Sequence, residues 1–168
     1  VDKKKSKKIL NKYKNKISCI LIEPIQGALP SSDNLDYIKF LYTYAKKNNI
    51  IIFFDEIITG LRDSKNSFQS RFKFKPNLSV FGKSFAGGLP IGIIAVDKKI
   101  DSKIKSKKLN IFFGGTFSGN SIIMYVANSI TNYLFKNKNI RLDLEKKTDK
   151  FKLELNTFIS KNNIDARV

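Results

Sequence analysis

Ile50-Ile51-Ile52-Phe53-Phe54-Asp55-Glu56 sets five β-branched or aromatic residues directly against two carboxylates. An apolar run this short, ending abruptly in charge, reads as a strand buried on both faces. Upstream, Ile17-Ser18-Cys19-Ile20-Leu21-Ile22 is a second such run, closed by Glu23-Pro24. Between the two, Ser31, Ser32, Asp33 and Asn34 offer N-caps to a helix whose apolar positions Leu35, Ile38, Leu41, Tyr42 and Ala45 recur at helical spacing. Strand, helix and strand within about 35 residues make a βαβ unit, which requires parallel strands and a right-handed crossover.

The rest of the chain extends that unit. Leu78 to Phe81 reads as a third strand ending at Gly82-Lys83, and a turn rich in Gly and Pro leads to a fourth, Gly92 to Val96. Gly114-Gly115-Thr116-Phe117-Ser118-Gly119-Asn120 is a loop that opens a helix with Ile122, Ile123, Val126, Ala127, Ile130 and Leu134 on its buried side. A last amphipathic helix runs from about Leu142 to Ser160, with Leu144, Phe151, Leu155 and Phe158 on its apolar stripe. The expected fold is α/β with a largely parallel sheet, which binds ligands beyond the carboxyl ends of its strands.

Composition narrows the chemistry. The 168 residues are 42% hydrophobic with 14 Phe and 6 Tyr, enough for a sizeable core. With no His, every mechanism that needs an imidazole is excluded, and one Cys and one Met exclude intrachain disulfides and Cys-only zinc or iron–sulfur ligation. A net charge of +18 first suggests nucleic acid or an anionic membrane surface. However, only 4 of the 32 basic residues are Arg, and Lys, Asn and Ile together make about 40% of the chain, the bias of an AT-rich coding sequence. A protein that grips phosphate would use more of Arg's planar fork, so a basic binding module stands as the alternative from another class. The opening Lys run lacks the apolar segment of a signal peptide, and the uncharged stretch from Leu109 to Phe135 is too rich in Asn, Ser, Thr and Gly to span a bilayer. The expectation is a soluble, cytoplasmic protein, and a start at Val-Asp-Lys without Met reads as an internal piece of a longer one.

Three ionisable residues stand where apolar strands end: Glu23, Asp55 and Lys83. Asp55 follows five apolar residues, so its carboxylate is either partly desolvated and in need of a cation or donors, or the cap of a following turn. Lys83 is the only charged residue between Pro76 and Val96. It is either a desolvated amine, able to act as nucleophile or base, or a solvated turn lysine. Gly82-Lys83-Ser84 imitates the end of a phosphate-binding P-loop, but that motif needs Gly where Asn77 stands. The Gly114 to Asn120 loop offers backbone N–H groups and the Thr116 and Ser118 hydroxyls before a helix, and is either a seat for an anion or a mere connecting turn. Cys19, inside the first strand, reads as an inert core residue. A strand-end acid, an isolated lysine and an anion loop together suit pyridoxal 5'-phosphate, which takes an amine at its aldehyde, a carboxylate at its ring nitrogen and donors at its phosphate.

Ile-Glu-Pro-Ile-Gln-Gly (22–27), Phe-Phe-Asp-Glu-Ile-Ile-Thr-Gly-Leu-Arg (53–62), Phe-Gly-Lys-Ser-Phe-Ala-Gly-Gly-Leu-Pro-Ile-Gly (81–92) and Gly-Gly-Thr-Phe-Ser-Gly-Asn (114–120) resemble, in order and spacing, the class III pyridoxal-phosphate aminotransferases. Within that family the likeness is greatest to the glutamate-1-semialdehyde 2,1-aminomutase branch, because ornithine- and GABA-type members place Gln where this chain has Ile58. The resemblance implies the large domain of a fold-type I transferase over residues 1–140 and the start of a C-terminal small domain over 141–168. It also implies amino-group transfer on a small amino acid or amino aldehyde, with an aminotransferase for another amino acid or an amino sugar as the second reading. Lys83 would form the internal aldimine and shuttle the proton. Asp55 would pair with the ring nitrogen, Ile57 would pack on the ring, Thr116 would bind the phosphate in a neighbouring subunit of a homodimer, and Glu23 would lie near the substrate. Members of the family are much longer, and their Ser-Gly-Thr phosphate loop and second ring-stacking aromatic have no counterpart here. Ser121 stands where aminomutases usually have Pro.

Overall fold

One sheet carries the four strands in the order β1 (Cys19–Ile22), β2 (Ile51–Asp55), β3 (Leu78–Gly82) and β4 (Gly92–Val96). The computed structural model describes every residue except 1, 29, 31–33, 63, 109, 110, 112, 113, 116 and 167. β1, β2 and β3 are parallel, with Ile22 level with Phe54 and Asp55 level with Val80. β4 returns antiparallel, Gly82 facing Gly92 and Leu78 facing Val96. The difference in direction follows from the connections. A helix crosses back between β1 and β2, whereas only a short turn, Lys83–Ala86 and its glycines, separates β3 from β4. The α/β fold with a mostly parallel sheet is therefore the one expected.

Side chains alternate across the sheet, so register divides it into two unlike faces. Ile22, Ile52 and Phe54 point to one face, where Ile38 and Ala45 of α2 (Leu35–Lys47) and Phe68 close over them. Phe54 is fully buried, with the Phe74 ring 5.5 Å away edge-on. Burying a side chain of this size contributes about 1.5–3 kcal/mol. The opposite face carries Leu21, Phe53, Asp55, Val80 and Ile94, paired across the register. It is thinly covered among the described residues: Leu21 is 61% and Ile94 59% exposed. The expectation that the first strand is buried on both faces is thereby corrected, since only Ile22 in β1 is buried. Cys19, expected in the core, is exposed because it shares Leu21's bare face.

The expected caps of α2 also change. Ser31, Ser32 and Asp33 lie outside the described residues, and Asn34 makes no side-chain cap. Its carbonyl instead accepts the Ile38 N–H at 2.9 Å. An opening helix, α1 (Lys3–Tyr13), is capped by the Asp2 carboxylate. α3 is the single turn Phe68–Arg71.

The lysine-rich run after β4 forms a helix, α4 (Lys98–Ser106), that periodicity did not reveal. Its cap is Asp97, whose Oδ1 accepts the Ile100 N–H at 2.8 Å while Oδ2 accepts from the Asn77 side chain. Partial burial raises the Asp97 carboxyl, but these hydrogen bonds and the Lys46 charge outweigh it and hold the group below the usual carboxylate range. A lowered folded-state value means stability present above the unfolded value and lost as pH falls through the folded one. Asp97→Ala is expected to cost about 1 kcal/mol, as loss of a helix cap does. The difference from the parent in urea melts should shrink below the carboxylate range, and a difference unchanged at acid pH would refute the cap.

α5 (Ser121–Lys136) starts on Asn120, whose Oδ1 accepts the N–H groups of Ile122 and Ile123, both at 3.1 Å. Ile123 and Ala127 pack against Ala86, and Ile130 lies against Gly87, where an added Cβ would come within 2.7 Å of it. Among the described residues this helix packs chiefly on the turn after β3, and Ile122, expected to be buried, is 71% exposed. α6 (Asn139–Lys161) likewise leaves Phe151 and Phe158 exposed, and Glu145 ties its first half to Arg71 through a salt bridge. No helix among the described residues is long and apolar enough to cross a membrane.

Candidate active site

Parallel β1, β2 and β3 end at the same sheet edge, and each delivers one of the three expected groups there: Glu23 after Ile22, Asp55 closing β2, and Lys83 after Gly82. Asp55 lies on the face that α2 does not cover, half-buried, and its Oδ1 accepts the Ile57 N–H at 3.0 Å. That bond turns the chain over the edge and sets Ile57 above Gly82. A methyl group on Gly82 would stand 3.6 Å from Ile57 Cγ2 and 3.0 Å from the Ile91 carbonyl oxygen. Glycine keeps that approach free of a tight contact with the Ile91 carbonyl. Glu23 is half-buried, and its Oε1 accepts the Gly27 N–H at 3.0 Å, closing a turn that packs on Ile58.

Lys83 is exposed, so among the described residues it is not the desolvated amine that its uncharged flanks suggested. The reason lies in where those flanks go. Phe81 and Phe85 contact each other with ring centroids 5.4 Å apart and close on Gly60, where an added Cβ would come within 2.9 Å of either ring. They thus brace the turn from behind rather than surround the amine. Lys83 itself sits at φ +43°, in the left-handed region that costs a non-glycine residue about 1–2 kcal/mol. The buried Ala86 and the α5 helix against it hold this conformation.

Glu56, which sequence reasoning passed over, is fully buried. Its Oε2 accepts the Thr59 hydroxyl at 2.8 Å and the Phe68 N–H at 2.6 Å, and Oε1 accepts the Gln69 N–H at 3.0 Å. Asp55 thus caps the turn that follows β2, and Glu56 beside it ties that turn to α3. A signal was available, because strand alternation places Glu56 on the same face as Phe54, where a buried carboxylate requires donors.

Two clefts open beside these groups. One of about 530 Å³ is lined by Ile57, Arg62, Lys83, Ser84, Leu89 and Pro90, among others. A second, of about 520 Å³, shares Pro90 and Ile91 with it and is walled by Gly114, Gly115 and Ser118. Thr116, the expected phosphate ligand, lies outside the described residues. A separate groove of about 620 Å³ at the opposite end of the sheet has Lys46, Lys99, Lys103 and Lys107 on its rim, far from the carboxyl ends of the parallel strands.

The donor set suits pyridoxal phosphate: an accessible primary amine, a carboxylate on the adjacent strand and an apolar side chain over the glycine between them. Comparison with known proteins points the same way. The chain matches the aminotransferase class-III family over residues 2–167. It is similar to the glutamate-1-semialdehyde 2,1-aminomutase of Methanosphaera stadtmanae, 32% identical over 99% of this chain and 39% of the relative. It is also similar to that of Wigglesworthia glossinidia brevipalpis, 36% identical over 94% of this chain and 36% of the relative. The chain thus spans well under half the length of these relatives. Among solved structures, an S-selective transaminase from Arthrobacter sp. with alanine bound superposes with a TM-score of 0.80 at 19% identity, over 92% of this chain and 34% of that one. An ornithine aminotransferase from Plasmodium yoelii gives 0.73 at 27% identity, over 90% of this chain and 40% of that one. The match runs through every element that carries Glu23, Asp55 and Lys83, and the chain belongs to the class-III aminotransferases, a family of pyridoxal-phosphate enzymes.

Proposed function

We propose that this chain supplies the catalytic lysine and the ring-nitrogen partner of an aminomutase that converts glutamate 1-semialdehyde to 5-aminolevulinate. The observation that carries the reading is the delivery of Asp55 and Lys83 by adjacent parallel strands to one sheet edge, with Ile57 over the glycine between them. The aminomutase names of relatives at 32–36% identity support the subclass. Pyridoxal phosphate, when bound, supplies an aldehyde for the substrate amine and a ring that withdraws electrons.

The chain's own residues do the rest. Asp55 holds a proton on the ring nitrogen through a charge-assisted hydrogen bond, and its neighbour Ile57 presents an apolar surface to one ring face. Lys83 anchors the cofactor, and its Nζ, once displaced by substrate, carries the proton from one carbon to the next. With no imidazole in the chain, no histidine here competes for that task. Thr116 contributes a phosphate donor to a neighbouring subunit, which makes a homodimer part of the reading, and Glu23 stands on the substrate side. Residues 1–140 belong to the large domain and 141–168 begin the small one.

A second reading, an aminotransferase acting on another amino acid or an amino sugar, draws on the likeness to the Plasmodium yoelii ornithine aminotransferase. The two part on one assay. Full-length protein given glutamate 1-semialdehyde alone should form 5-aminolevulinate with no second substrate. Failure there, together with transfer of an amine from ornithine or another donor to a 2-oxo acid, would select the aminotransferase.

A further inference from the structure

Glu56 holds the turn after β2 with its backbone as well as its side chain. Its N–H donates to the Val80 carbonyl on β3 at 2.9 Å, and its own carbonyl accepts the Gly60 N–H at 2.9 Å. The buried carboxylate accepts the Thr59 hydroxyl from inside that turn and the Phe68 and Gln69 N–H groups from the start of α3. Residues 57–60 are thereby fixed at both ends. From this turn the Ile57 N–H reaches back to Asp55 and takes its Oδ1 at 3.0 Å, which leaves Oδ2 without a hydrogen bond among the described residues. The position of the Ile57 N–H thus sets the plane of the Asp55 carboxylate, and Glu56 sets the position of the Ile57 N–H. Each of these bonds closes within the chain, so none depends on segments outside it. Hydrogen bonds weaken steeply as they bend, so a turn that drifts would point the free Asp55 oxygen away from its target.

We infer that Glu56 is a positioning residue for the reaction: it acts through the Ile57 N–H to aim the free oxygen of Asp55 at the cofactor's ring nitrogen, and so keeps that nitrogen protonated. The inference rests on the proposed cofactor site and adds the residue that orients its carboxylate. The test uses the full-length protein loaded with pyridoxal phosphate isotopically labelled at the ring nitrogen, whose resonance separates the protonated from the unprotonated form. Asp55→Asn should move that resonance toward the unprotonated position. Glu56→Gln keeps an acceptor for Thr59 and Phe68, so it should fold and move the resonance part of the way, with Glu56→Ala moving it further. Combining Glu56→Gln with Asp55→Asn should leave the resonance where Asp55→Asn alone puts it, because Glu56 reaches the ring only through Asp55. A purely structural Glu56 would lower the amount of cofactor retained and leave the resonance of the bound fraction unmoved. That outcome would overturn the inference, and so would shifts that add in the double variant. A parent protein that takes up no cofactor, or an Asp55→Asn variant whose resonance stays in place, would instead overturn the proposed cofactor site, and the inference with it.

Discussion

Lys83→Ala in the full-length protein is expected to lower turnover by about 10³-fold or more if Lys83 has the proposed role, the scale of losing a proton carrier and covalent anchor in one group. The same variant should fold normally. Lys83 is exposed, and its left-handed backbone is held by Ala86 and α5 rather than by its own side chain. Alanine at φ +43° meets the same steric cost as lysine, so stability should hardly move. Binding should therefore separate from chemistry: the variant takes up cofactor, but the cofactor washes out on dialysis. Borohydride reduction of the parent should fix the cofactor to Lys83, located by peptide mapping, and reduction of the variant should fix it nowhere. A label on a different lysine, in a chain with 32 basic residues, would move the site elsewhere.

What could be read from the residues was set mostly by local pattern. IIIFF against two acids, and a helix with the period of Ile38, Leu41 and Ala45, specify the βαβ unit because the inward residues of the strand and the apolar stripe of the helix meet in one core. The lysine-rich run that forms α4 gave no readable signal, since Ile100 and Ile104 are too few for a visible period and the cap comes from Asp97, held by Asn77 at the start of the neighbouring strand. Exposure was the least legible property. Cys19, Ile122 and Lys83 all sit in apolar company, yet each faces outward, because the βαβ pattern specifies which residues share a face and not what later covers it. The strand-end acids showed the same limit at finer scale. Asp55 and Glu56 are adjacent and chemically alike, and only the parity of the strand sends one to the open face and the other into the core.

That parity makes Glu56 the residue whose loss should be felt most in the fold around the site. Glu56→Ala removes the acceptor for the Phe68 N–H, the Gln69 N–H and the Thr59 hydroxyl together. Buried donors left without partners, with a fully buried side chain deleted around them, should cost about 3–5 kcal/mol locally. The loss falls on the loop that runs from Ile57 through Arg62 to α3, so the turn over Gly82 loosens with it. Amide exchange is the sharper measurement, because it reads the opening of this loop residue by residue. Exchange at Phe68 and Gln69 should accelerate by about 10²- to 10⁴-fold, the factor that such an energy implies, while amides at Ile52 and Phe54 in β2 stay protected. Glu56→Gln should fall between, since its amide oxygen can still serve Phe68 and Thr59 but its NH₂ meets the Gln69 N–H. Unchanged exchange at Phe68 in Glu56→Ala would mean that α3 and the site loop are held by packing of the Phe68 ring on Phe54 and Phe74, and not by the buried carboxylate.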